Sequence, residues 1–159
     1  MVVSYLPEIS FTSFPCDLRV YNSGIQTVIA SIQPPNGLGF MTRVGSEIEV
    51  APSASGMVLL AFQDQIIKDI RTRESLPNSS EAEIETYSND LKEVILKGFA
   101  SIKSKQYAGL HAISFPILDM NGNAIAAMTV IGLILLVVVD DTTVTSHGDD
   151  EHDGGRRDQ

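Results

Sequence analysis

Cysteine is nearly absent: Cys16 is the only one in 159 residues. A single thiol excludes an internal disulfide framework and fits a reducing compartment. Bases are scarce too, 11 Lys and Arg against 20 Asp and Glu, for a formal charge of −9. An acidic surface repels phosphate backbones, and nothing in the chain resembles a basic recognition helix. Direct nucleic-acid binding by this chain alone is therefore not expected. The opening MVVSYLPEISFTSFP has no early basic region followed by an apolar run, so it does not read as a secretory signal. The uncharged stretch 124–139 includes Thr129 and Gly132 and falls short of the roughly 20 residues a membrane helix needs. It is expected to be a buried strand that overruns its turn. No membrane association is expected, and the protein is expected to be cytoplasmic.

The constellations of common chemistries are missing as well. There is no Gly-x-Ser-x-Gly elbow and no Gly-rich phosphate loop after a strand. Cys16 and His111 have no motif around either, so structural roles are expected for both. Ser53 and Ser55 are better explained as helix caps than as nucleophiles. His147 and His152 lie among tail acids, where holding a cation would require ordering an unscaffolded segment. No metal and no cofactor are expected. Glu81, Glu83 and Glu85 lie on or beside a solvated helix face and form no acid–base pair.

What is present is enough for one globular domain, with 43% hydrophobic residues. Residues 18–21 and 27–32 are β-branched or aromatic enough for two strands joined at Asn22-Ser23-Gly24. Pro34-Pro35-Asn36-Gly37 ends the second. Short strands are expected at 40–43 and 47–50. The period then changes: serine-rich 53–55 opens an apolar helix over 52–62, and a second short helix, 64–70, is expected to continue it at a bend. Amides at the start of that helix, 53–56, are expected to point outward and make a weak anion site.

The best-specified element spans 81–97. Ser80 with Glu83 makes a capping box, and Ile84, Tyr87, Leu91, Val94 and Ile95 recur at helical steps. Lys97 favours the last turn and Gly98 supplies the left-handed residue after it. Residues 99–102 read as a brief strand. Residues 112–118 and 124–130 are two strands around Asn121-Gly122, a tight-turn signal. Of the net charge, −5 lies in 140–159, which is expected to be a disordered solvated tail.

Several pieces together resemble the effector-binding half of IclR-type bacterial transcription regulators. Val44-Gly45-Ser46 leads to a small-residue helix start, Ser53-Ala54-Ser55-Gly56-Met57-Val58-Leu59-Leu60-Ala61. Gly98-Phe99-Ala100 matches a Gly-aromatic-Ala strand entry. Gly109-Leu110-His111-Ala112-Ile113-Ser114-Phe115-Pro116-Ile117-Leu118-Asp119 matches a Gly-Val/Leu-x-x-Ile-Ala-x-Pro-Val/Ile-x-Asp segment. Gly122 through Gly132 matches Gly-x-x-x-Ala-Ala-x-Ser-x-x-Gly, with Thr129 in the serine place. The order and spacing carry the resemblance, over roughly residues 17–132.

The resemblance implies an α/β (α+β) fold: a curved antiparallel sheet with flanking helices, akin to GAF and profilin-like domains. It places the domain at 17–139, with 1–16 as a lead-in. It implies a non-enzymatic sensor of a small organic acid that acts allosterically and forms homo-oligomers. The family's winged helix-turn-helix is not matched, so operator binding is not implied, and the family's last helix is replaced by 133–139 and the acidic tail. Carried over position by position, the effector-lining residues are Phe40, Ile48, Ala54, Ser55, Leu110, Ala112, Thr129 and Ile131. An acidic position common in relatives aligns with Ile102, and a serine-type position with Ile131. A cavity more apolar than in relatives sensing glyoxylate-like acids is expected. A small aromatic or aliphatic acid would place its carboxylate on the 53–56 helix start and its body against Phe40, Ile48 and Ile131. Two alternatives stay open: a GAF-like hydrolase with Cys16 or Ser55 as nucleophile, and an assembly module using 124–139 as an edge strand.

Overall fold

The computed structural model describes residues 14–34, 42–103 and 109–133. β1 (Cys16–Asn22) and β2 (Ile25–Ile32) form a hairpin closed by Ser23 and Gly24, both at positive φ. β3 (Glu47–Glu49) pairs with β2, and three helices follow: α1 (Ala54–Ala61), α2 (Gln65–Ser75) and α3 (Glu81–Lys97). β4 (Ala100–Lys103), β5 (Leu110–Leu118) and β6 (Ala124–Leu133) complete one antiparallel sheet in the order β3-β2-β1-β6-β5-β4. The sheet curls into a half-barrel, and the architecture is the α+β one expected.

Alternation along the strands fixes which side chains share a face. On one face Asp17 of β1 pairs with Thr129 of β6, which pairs with Ser114 of β5, which pairs with Ala100 of β4. α1 and α3 lie over this face. α1 buries every residue except Met57, and Leu91 and Val94 of α3 pack with Val58, Leu59 and Leu60 into one core with Val50, Ala100 and Ala127. Leu59 and Leu91 are fully buried, and full burial of a leucine contributes about 1.5–3 kcal/mol.

α3 forms as its sequence dictates. Ser80 Oγ accepts the Glu83 amide, the Glu83 carboxylate accepts the Ser80 amide at 2.7 Å, and Gly98 sits at φ 80° beyond Lys97. The bonds from Ser80 hold the Glu83 carboxyl below its usual range. A lowered folded-state value means that this contribution is present above the unfolded carboxyl's range and is lost as pH falls through the folded one. Ser80→Ala is expected to lower stability by about 1 kcal/mol in urea denaturation, with the difference from the parent shrinking in acid.

Several expectations are corrected. The second helix expected at 64–70 is longer than that, since α2 runs to Ser75. The break between α1 and α2 comes from the sheet: the Phe62 carbonyl accepts the Ala124 amide at 2.6 Å, and Gln63 Nε2 donates to both Leu59 O and Ala124 O. The first residue of β6 thereby satisfies the end of α1. Of the strand expected at 40–43, Phe40 and Met41 lie outside the described residues. Thr42 and Arg43 are not in a strand; the Arg43 carbonyl instead accepts the Ser46 amide in a turn. Cys16, the last residue of the expected lead-in, is already in β1, and the Pro15 carbonyl accepts the Ile131 amide. In α3, Ile95 is 40% exposed and falls off the buried stripe. β6 is interior to the sheet, between β1 and β5, so its residues 124–133 are not an edge available for assembly. The tail 140–159 lies outside the described residues.

Candidate functional site

Between the curled face of the sheet, the start of α1 and the end of α3 lies a cavity of about 970 Å³. Ala54 and Ser55 reach it from α1 and Ile48 from β3. Leu110 and Ala112 come from β5, Thr129 and Ile131 from β6. These are seven of the eight positions carried over from the resemblance; Phe40 lies outside the described residues. Their convergence follows from register. Ala112 pairs with Ile131 across β5 and β6, and Thr129 pairs with Ser114, so period-two neighbours project to one side. Ile102 of β4, opposite Ala112, extends the same apolar wall.

The polar floor was not foreseen. Arg19 of β1 lines the cavity, yet it is only 6% exposed. Asp17, two residues back and on the same face, takes its Nε at 2.7 Å and its Nη2 at 2.8 Å, a side-on bidentate pair. Arg19 Nη1 donates to Ser55 Oγ at 3.0 Å. Ser55 is therefore not a cap; it joins the helix start to the sheet. Ser53 is the cap: its Oγ accepts the Gly56 amide at 3.0 Å and a bond from Gln26 Nε2 at 2.6 Å, and donates to Val50 O at 2.8 Å. The Gly56 amide is thus already satisfied, a correction to the expectation that amides 53–56 all point outward unpaired. The signal available in the sequence was the Asp17–Arg19 spacing on a strand, which puts an acid and a base on one face.

The rim carries mixed charge. Glu49, Asp90 and Glu93 face it along with Lys97 and Lys103, and Lys97 pairs with Glu93 at 3.2 Å. His111 shares a hydrogen bond with Ser101 there. Deeper in, Ser114 and Thr129 bond each other at 2.9 Å. Cys16 is buried, 2% exposed. Burial, reinforced by the Asp17 charge, pushes its thiol up to about 11, so it is protonated at neutral pH. Among the described residues no group of His, Cys, Asp and Glu could hold a metal ion.

The family model of the bacterial transcriptional regulator IclR C-terminal domain matches residues 9–144. This chain belongs to that family. Solved structures agree on the fold. The transcriptional regulator YaiJ superposes with a TM-score of 0.72 at 16% identity, over 86% of this chain and 80% of that one. HmgR from Pseudomonas aeruginosa gives 0.66 at 25% identity, over 84% of this chain and 53% of that one. An IclR transcriptional regulator from Alicyclobacillus acidocaldarius gives 0.68 at 22%, over 91% and 57%. The chain thus spans only a little over half of the last two proteins. No curated protein matches the chain. The family and its structural neighbours are transcriptional regulators rather than enzymes, which removes the hydrolase alternative. No helix among the described residues is long and apolar enough to cross a membrane.

Proposed function

We propose that this chain is the effector-sensing part of an IclR-type regulator and that its effector is a small organic acid with an apolar body. One observation carries the proposal: a single cavity joins an apolar wall, with Ile48, Leu110 and Ile131, to a buried polar floor at Ser55 and Arg19. Ligand pockets share that composition, mostly apolar with a few fixed polar groups. The acid's carboxylate would lie at the start of α1 and its body along the β5–β6 wall. Because α1, α3 and five strands meet around the cavity, a ligand that prefers one packing of these elements shifts the population toward it. That bias would pass to a partner subunit or an attached DNA-reading domain in the cytoplasm. The chain alone would not bind an operator.

Isothermal titration with phenylacetate, pyruvate and glyoxylate tests the proposal. Phenylacetate is expected to bind at least about tenfold more tightly than glyoxylate, because a phenyl ring adds apolar area to the same anchoring group. A preference for the smallest, most polar acid would defeat it.

A further inference from the structure

We infer that Arg19 is the residue that selects the effector's carboxylate, an assignment that rests on the reading of this cavity as an organic-acid site. A guanidinium carries five N–H donors. Asp17 takes the Nε–H and one N–H of Nη2, and Ser55 takes one of Nη1. One N–H on each terminal nitrogen is left without a partner among the described residues. Arg19 lines the cavity wall, whereas Asp17, 3% exposed, stands behind it.

Three bonds hold the guanidinium plane, so a ligand carboxylate meets donors already oriented and already stripped of most water. Such a site discriminates strongly between an acid and its amide. The amide brings its own N–H groups to a fork that only donates, and cannot match the acid's two acceptors. Asp17 has a second effect. It balances the guanidinium charge before any ligand arrives, and so holds acid affinity below what a free arginine would give. The alternative anchor, the start of α1 alone, predicts no such dependence on Asp17.

The test compares phenylacetate with phenylacetamide by calorimetry on the full chain. In the parent, the acid is expected to bind at least about tenfold more tightly than the amide. Asp17→Asn is expected to raise phenylacetate affinity several-fold and leave phenylacetamide unchanged. Asp17→Asn/Arg19→Gln, which leaves two neutral hydrogen-bonding side chains and no buried charge, is expected to erase the preference. Arg19→Lys restores the charge without the fork and is expected to fall between. Circular dichroism and thermal melting establish that each variant is folded, and Arg19→Lys decides the matter if the double variant is not. If the double variant keeps the acid preference, Arg19 is not the selector, although the organic-acid proposal survives. If the parent binds neither compound nor any of the acids above, both fall.

Discussion

Gly56→Ala is expected to destabilise the domain by about 3–5 kcal/mol, a loss in the range reserved for severe core defects. A Cβ built at Gly56 would lie 1.8 Å from the Val50 carbonyl oxygen and 2.5 Å from its carbon. The obstacle is backbone, so no rotamer change relieves it. Nor can Val50 retreat easily, since it is 1% exposed and its carbonyl accepts both the Ser53 amide at 3.1 Å and the Ser53 hydroxyl at 2.8 Å. Relief requires α1 to lift from the segment between β3 and its own N-cap. That would separate Ser55 from Arg19 and open the core around Leu59 and Leu60. Gly45→Ala is the control. It sits at φ 88° with nothing within 4 Å of an added Cβ, so only the left-handed backbone penalises it, by about 1–2 kcal/mol. Urea denaturation of the two variants gives the comparison. Equal losses would mean that α1 does not need to approach Val50 so closely.

Local signals in the sequence were legible wherever they act locally. Ser80, Glu83 and Gly98 fixed both ends of α3 because caps bond within a few residues of themselves. Asn121-Gly122 marked the turn between β5 and β6, where Asp119 Oδ1 accepts the Asn121 and Asn123 amides and Gly122 adopts φ 83°. What stayed hidden depends on distant chain. The bend between α1 and α2 is expected from the sequence, but not its cause: the break contains neither glycine nor proline and is set by Ala124, far along the sequence, bonding the Phe62 carbonyl. Gly56 resembled one small residue among several, and only the approach of Val50 gives it a steric role. The cavity positions were recoverable only through family resemblance, since periodicity ranks Leu110, Ala112 and Ile131 as ordinary strand residues. Arg19 escaped for a related reason. Alternation says that Asp17 and Arg19 share a face, but not that two helices roof that face and bury them.

Removing Arg19 by itself is expected to be the second severe lesion, and the way it is rescued separates its structural role from its place in the cavity. Arg19→Met leaves the Asp17 carboxylate, whose side chain is 3% exposed, without its bidentate partner. An uncompensated buried charge costs about 3–5 kcal/mol, far more than a surface ion pair contributes. The exposed Arg73–Glu81 pair, also bidentate but end-on through both terminal nitrogens, is the internal reference: Arg73→Met is expected to leave stability nearly unchanged. The double variant Asp17→Leu/Arg19→Met removes both charges and fills similar volume. It is expected to recover most of the loss, because a buried ion pair rarely outperforms well-packed apolar side chains. A double-mutant cycle in urea would then give a large coupling energy between two residues whose joint removal is nearly neutral. On that outcome stability alone supplies little reason for an aspartate and an arginine at the floor of an apolar cavity, and the pair is accounted for by what the two remaining guanidinium donors can hold. If the double variant instead stays as unstable as Arg19→Met, the pair is structural in its own right, and Arg19 owes its position to Ser55 and the fold rather than to an effector.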